Sequence, residues 1–359
     1  MEIRYILLSA GILAPSMPAV AGPVARWKSV SHDFGAFDED MGKVSSDFVV
    51  VNDGDAPLMI YAARASCGCT VPSFTSDPVA PGDSAVIKVT YDPTGRPGKF
   101  SKKVKVETNC DPAQNILTIN GVVIGASNTL RARFPVEVGN LKLRNKSVAF
   151  GDINKGNTKT AFLDGYNQSN DTIRPVVTGL PPHITVTTSP EAVPPGEQVT
   201  FTFFYNSART SDWGLTSDEV SVTPAAGSAE SQPVDIIAVV NEDFSRMTPE
   251  KRERAPKIAL SSTSIDLGQV AVGTRNDEEI IIENFGKDPL VIRKVASLDP
   301  AVQASVNKTE VKGGSNARIK VKVDTRKVEG DIVNARITVI TNDPDRPVSN
   351  IRVVGELLK

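Results

Sequence analysis

The chain has 359 residues, more than one ordinary core accommodates, so length alone predicts two or three domains. With 40% of residues hydrophobic and 23% charged, the composition is that of a soluble globular protein. The 40 basic and 42 acidic side chains nearly cancel, and a formal charge of -2 removes the electrostatic drive on which nucleic-acid binding depends.

Residues 1–21 read as a signal peptide. Arg4 precedes a short apolar run over 6–13, Pro15 and Pro18 break it, and Ala19 and Ala21 are the small residues of a cleavage site after Ala21. That run is too short to span a bilayer and no other stretch is long enough, so the mature chain is expected to carry no transmembrane segment. The expected location is the periplasm or outer envelope, an oxidising compartment in which disulfides persist.

One pattern then recurs three times, at a spacing of about 116 residues. The units open with SHDFGAF at Ser31, SVAFGDI at Ser147 and SIDLGQV at Ser264. A strand ending in Asn follows, as FVVVNDGDAPLMI in the first unit and EIIIENFGKDPLVI in the third, with the degenerate AFLDGYNQSNDTIRPV between. Turns VAPGDS, VPPGEQ and VKGGSN lead into the strands AVIKVTYD, VTFTFFYN and ARIKVKVD. The outer units close on VETNCDP and VITNDPD. Apolar and polar residues alternate along these stretches, and Gly, Pro, Asn and Asp supply the turns between them. The expectation is an all-β protein of three tandem Ig-like antiparallel β-sandwich domains. They are placed at 27–125, 130–241 and 258–359, with a charged linker over 242–257 in which Thr248 caps a short helix starting at Pro249.

The combination of FG, N.GD.PL.I, SCGCT.P, YDPTGRPGKF and TNCDP in the first unit resembles a family of exported bacterial domains of unknown function with a Cys-Gly-Cys motif. That family is related to the ASPM–SPD–Hydin class of Ig-like domains. The first unit matches nearly end to end; the third follows the general Ig-like pattern without the cysteines, and the second diverges most. FPVEVGNLKLRNKSVAFGDI resembles the linking segment of multi-unit members. The resemblance implies an Ig-like sandwich and an envelope location, and it implies no reaction.

Chemistry-bearing residues are sparse. His32 and His183 fall in different units, and no phosphate loop, dinucleotide fingerprint, metalloprotease helix or nucleophile elbow is present. No catalytic residue, metal ligand set or cofactor is therefore expected. The DGD of 53–55 reads as a turn, since calcium needs six or more converging oxygens. What remains is ASCGCT at 65–70 and the third cysteine, Cys110.

Four readings of Cys67 and Cys69 stand side by side: a disulfide to Cys110, a disulfide to each other across Gly68, a soft-metal site, and reduced structural thiols. On an Ig sandwich the Cys67 end and the Cys110 end of the intervening strand lie about 20 Å apart. That exceeds the roughly 7 Å a disulfide allows between Cα atoms, which disfavours the first reading. Gly68 is expected to supply backbone freedom to a small ring, and Arg64 and Arg96 to approach the cysteines. The loops near 35–42 and 92–98 are expected at the same end. The function expected is a non-enzymatic exported envelope protein, a tandem scaffold or protein-interaction module whose partners are envelope proteins. The alternative is thiol–disulfide or soft-metal handling through Cys67 and Cys69.

Overall fold

A computed structural model describes residues 22–358 of the chain. The expected signal peptide, residues 1–21 with cleavage after Ala21, lies outside the described residues. The chain is all-β and forms tandem sandwiches. It divides into two compact units: the first runs to Ala132 and takes in residues 167–172 and 194–197, and the second holds the remainder.

The first sandwich contains β1 (Ala25–Trp27), β2 (Ser31–Asp38), β3 (Val44–Asn52), β4 (Ile60–Ala65), β5 (Thr70–Ser73), β6 (Ser84–Tyr91), β7 (Gly98–Thr108) and β8 (Gln114–Ile124). Its two sheets run β1-β3-β6-β5 and β2-β8-β7-β4. The next set is β9 (Val136–Val138), β10 (Leu141–Leu143), β11 (Ser147–Asn154), β12 (Thr158–Asn167), β13 (Val176–Thr178), β14 (Ile184–Ser189), β15 (Gln198–Asn206), β16 (Gly214–Thr223) and β17 (Gln232–Asn241). These strands form the sheets β14-β15-β12-β10-β9 and β11-β17-β16-β13. The last set is β18 (Ile258–Leu260), β19 (Ser264–Ala271), β20 (Arg275–Asn284), β21 (Leu290–Ser297), β22 (Val302–Val306), β23 (Glu310–Val311), β24 (Asn316–Asp324), β25 (Ile332–Thr341) and β26 (Val348–Leu358). They make β18-β20-β24-β22 and β19-β26-β25-β21-β23.

Period-two alternation builds each core. In β6, Ala85, Ile87, Val89 and Tyr91 are buried while Val86 and Lys88 are exposed. They meet Val104 and Val106 of β7 and Leu117 and Ile119 of β8 in one cluster. Comparable clusters fill the second and third sandwiches. Each buried Val, Ile, Leu or Phe contributes about 1.5–3 kcal/mol.

One strand pair per sandwich is parallel: β2 with β8, β11 with β17, and β19 with β26. Alternation fixes which face a strand buries but carries no information about direction, so the parallel pairs are not readable from the pattern. The parallel arrangement arises because the chain changes sheets at the start of the unit: β1 pairs with β3 and β2 then crosses to β8. Each parallel pair has a register break at the repeated FG or LG. Gly35, Gly151 and Gly268 sit there at φ 67, 64 and 63, a left-handed conformation that favours glycine. Asp33 and Asp266 accept the amides of Gly35 and Gly268 to close the bulge.

The Asn that ends β3, β12 and β20 is buried every time: Asn52, Asn167 and Asn284. Its Nδ2 donates to the carbonyl four residues on, at Ala56, Asp171 and Asp288. It also donates to a carbonyl of the later turn, at Val79, Pro194 and Val311. Two residues on stands Gly54 or Gly286, whose amide donates to the Asn Oδ1. A Cβ there would overlap the carbonyl of Gly22 or Ala255, and it would lie 2.6 Å from Val24 N or from Pro256 Cα. The strand opening the unit therefore crosses directly over this glycine.

The segment that resembles a linking segment is core instead. Its hairpin of β9 and β10 occupies the place that β1 and β18 hold in the other sandwiches, and Leu141 and Leu143 are fully buried. The charged segment before the third sandwich contains the helix Pro249–Arg254, with Thr248 Oγ1 accepting the Lys251 amide. The helix is docked rather than free: Arg252 pairs with Asp345 and Arg254 with Asp288.

Candidate functional site

β4 delivers ASCGCT to one end of the first sandwich. Ala63, Ala65 and Cys67 pack against the core along one face of the strand, so Arg64, between them, falls on the opposite face and is exposed. Arg96 lies in the β6–β7 loop with its guanidinium folded onto the carbonyls of Thr94 and Asp92, at 2.6 and 3.4 Å. The loop touches the cysteine turn through backbone: the Asp92 amide donates to the Cys69 carbonyl at 2.9 Å.

Cys67 and Cys69 are joined in a disulfide, their Cα atoms 5.4 Å apart. Cys67 is half-buried, whereas Cys69 is buried at 9% exposure. The Thr70 hydroxyl lies 3.8 and 3.9 Å from the two sulfurs, and the Thr70 amide donates to the Cys67 carbonyl at 3.3 Å. Gly68 is exposed, has no left-handed φ and would place a Cβ in open space. The expected need for glycine's backbone freedom is therefore absent.

Cys110 is a free, buried thiol. β4 runs from Ile60 opposite Thr108 to Ala65 opposite Val104, so Cys110 sits beside the start of β4 and the disulfide beyond its end. The preceding Asn109 holds that far end closed, accepting the Met59 amide and donating to the Pro57 carbonyl. Asn342 does the same for Val291 and Pro289. The residue after it, Asp343, accepts the amides of Ile258, Asp345 and Arg346. Cys110 thus takes the place of a buried aspartate.

The same turn recurs in the other sandwiches. The i to i+3 bond from Thr70 to Cys67 is matched by Ile184 to Pro181 and by Val302 to Asp299. The bond from Asp92 to Cys69 is matched by Asn206 to His183 and by Asp324 to Ala301. Cys-Gly-Cys thus occupies the position of Pro181-Pro182-His183 and of Asp299-Pro300-Ala301. In the third sandwich the Asp299 carboxylate accepts the Ala301 amide at 2.8 Å, linking the two positions that the disulfide links in the first.

Two partnerships escape sequence reasoning. His183, at the Cys69 position, is buried with Nε2 3.0 Å from Asp218 Oδ2 and its ring edge-on to Tyr205. Only the alignment of PPH with CGC points to it. Glu39, also buried, accepts from the Gly95 amide, the Ala126 amide and the Thr129 hydroxyl. That carboxylate gathers the 35–42 and 92–98 loops at the disulfide end, and its partners lie too far along the chain for any motif to reveal. Beside it, hydrogen bonds from Thr94 hold the Asp92 carboxyl below its ordinary range, while burial pushes the Tyr91 phenol up. Among the described residues, no cluster of three or more His, Cys, Asp or Glu side chains is placed to hold a metal ion. No described helix is long and apolar enough to cross a membrane.

Comparison with known proteins matches two stretches of the chain to family models. Residues 25–123 match the family model described as protein of unknown function, DUF1573. Residues 256–356 match the model of the HYDIN/CFA65/VesB-like Ig-like domain. No curated protein matches the chain. Among solved structures, a protein of unknown function from Porphyromonas gingivalis W83 is similar at 22% identity and a TM-score of 0.47, over 61% of this chain and 100% of that one. The PapD-like domain 7 of human CEP192 is similar at 13% identity and a TM-score of 0.26, over 32% of this chain and 93% of that domain. An endo-fucoidan hydrolase of glycoside hydrolase family 107 aligns at 11% identity and a TM-score of 0.28, over 88% of this chain and 42% of that one. The first sandwich is thereby matched to a family of unknown function and the third to the Ig-like domains, the relationship that the sequence motifs indicate.

Proposed function

We propose that this chain is a non-enzymatic protein of the cell envelope, in which tandem Ig-like sandwiches act as a scaffold for contact with other envelope proteins. The loop end of the first sandwich, where the disulfide lies, is the contact surface. One observation carries the reading: the turn that follows β4, β13 and β21 keeps its two backbone hydrogen bonds in all three sandwiches, while its side chains change from Cys-Gly-Cys to Pro-Pro-His to Asp-Pro-Ala. A constant frame presenting different loop chemistry is how sandwich domains diversify recognition. The signal-peptide pattern of residues 1–21 supports export, and a disulfide at the loop end suits an oxidising compartment.

The test is a photo-crosslinking residue placed at Gly68, which is exposed and has open space around it. In intact cells it should give discrete adducts with envelope proteins that excess unmodified protein competes away. The same residue placed at Lys308, on the surface of the third sandwich, serves as the reference. Adducts no more discrete at Gly68 than at Lys308 would overturn the assignment of the surface. A chain recovered from the cytoplasm with residues 1–21 still attached would overturn the location.

A further inference from the structure

We propose that the Cys67–Cys69 disulfide is a reversible redox site, whose substrate is a dithiol and whose state sets the order of one loop end without affecting the fold. The inference goes beyond the scaffold reading and does not depend on it. Three observations carry it.

The bond restrains two positions that the other sandwiches restrain by other means. In the third sandwich the Asp299 carboxylate accepts the Ala301 amide and Pro300 stands between them; in the second, Pro181 and Pro182 fix the chain. Both turns keep the same pair of backbone hydrogen bonds without any sulfur. Breaking the disulfide therefore removes a turn restraint that the sandwich itself does not require.

The restraint also has no proline behind it. Gly68 replaces the proline that the other turns carry, and a glycine freed from the ring is the least constrained residue available. Reduction is thus expected to loosen this turn far more than loss of the carboxylate bond would loosen the third, where Pro300 remains. The motion passes on through the Cys69 carbonyl to the Asp92 amide, at the root of the β6–β7 loop.

Finally, the two sulfurs differ in access. Cys67 is half-buried and Cys69 is buried. The incoming thiolate of a dithiol attacks Cys67 Sγ, forming a mixed disulfide there, and Cys69 leaves as a thiolate that takes up a proton. The second thiol of the dithiol attacks its own sulfur in the mixed disulfide, closing its own disulfide and releasing Cys67, which is protonated in turn. Two electrons and two hydrogens pass from the dithiol to the cysteine pair; an oxidised dithiol partner reverses the exchange. Cys110 takes no part, being buried beyond the opposite end of β4.

The experiment uses the full mature chain, with amide hydrogen exchange measured in the presence and absence of dithiothreitol. Reduction should add 2 Da and expose two thiols to alkylation at Cys67 and Cys69. Exchange at the Thr70 and Asp92 amides should then rise by about tenfold or more, as local opening becomes easier. The matching amides of Ile184, Asn206, Val302 and Asp324 are internal controls and should not change. A triple variant, Cys67→Asp, Gly68→Pro and Cys69→Ala, grafts the third sandwich's turn into the first. It should show the slow exchange of the oxidised wild type with or without dithiothreitol. The proposal is overturned if native protein resists dithiothreitol, if exchange at Thr70 and Asp92 is the same in both states, or if the control amides accelerate equally.

Discussion

At the turn that follows β4, β13 and β21, the first sandwich ties Cys67 to Cys69 covalently, whereas the third lets the Asp299 carboxylate accept the Ala301 amide and the second relies on two prolines. One turn back, at the end of the second long strand, all three sandwiches use the same buried asparagine with the same pair of carbonyl acceptors. The contrast follows from what each position must satisfy. At the turn the requirement is a backbone shape, and a disulfide, a proline or an Asx hydrogen bond can each supply it. At the asparagine the requirement is a set of buried polar groups, and only a side chain with two donors and an acceptor at one end meets it.

The largest effect is expected where substitution has no alternative. Asn284→Ala leaves the Asp288 and Val311 carbonyls and the Lys257 and Gly286 amides without their partner. It should destabilise the third sandwich by about 2–4 kcal/mol, read as a lower midpoint of its urea transition. Asn284→Asp should be at least as damaging, because a carboxylate would face two carbonyl oxygens. A loss below about 1 kcal/mol in either variant would mean that water replaces the asparagine, and the contrast with the turn would collapse.

A smaller effect is expected at the turn itself. Asp299→Ala removes one hydrogen bond while Pro300 continues to hold the chain, and about 1 kcal/mol is the expected cost. Replacing both cysteines by serine, Cys67→Ser with Cys69→Ser, should cost the first sandwich more, about 2 kcal/mol in equilibrium unfolding, because Gly68 stands where the third turn keeps Pro300. Equal losses would show that the glycine leaves its turn no looser than the proline does. A loss several times larger in the first sandwich would make its disulfide more than a turn restraint.

Local regularities were legible in the sequence, and long-range ones were not. The alternation in AVIKVTYD, the glycine turns and the recurrence of FG are read within a few residues, and each corresponds to a strand, a turn or a bulge. The direction of β2 was hidden because period two is the same for parallel and antiparallel neighbours. Sharing the cysteines' end of the sandwich does not fix which way Arg64 faces, because a strand sends successive side chains to opposite faces. Glu39 and His183 gain their meaning from hydrogen-bond partners 35 to 90 residues away, which only the closed sandwich brings near.

The smallest effect tests a third repeated position, where one sandwich already differs by a single charge. At the end of β6, β15 and β24 stand Asp92, Asn206 and Asp324, and each accepts the amide two residues on, from Thr94, Ala208 or Arg326. The middle sandwich makes this turn with an amide side chain, so Asp324→Asn should keep the turn. What it removes is the pairing of Asp324 with Arg326 and Arg275. The hydrogen bond from Arg326, with lesser help from the nearby charges, holds the Asp324 carboxyl well below the usual carboxylate range. A depressed native value means stabilisation that is fully present above the unfolded value of about 4 and is lost as pH falls through the lower native value. Wild type should therefore exceed Asp324→Asn slightly at pH 7, and the two unfolding curves should converge as pH falls below about 4. The site is open to solvent, so the gap at pH 7 should also shrink as salt is raised. If the variant instead loses stability equally at every pH and salt concentration, the carboxylate is needed for the turn itself, and Asn206 is not its equivalent.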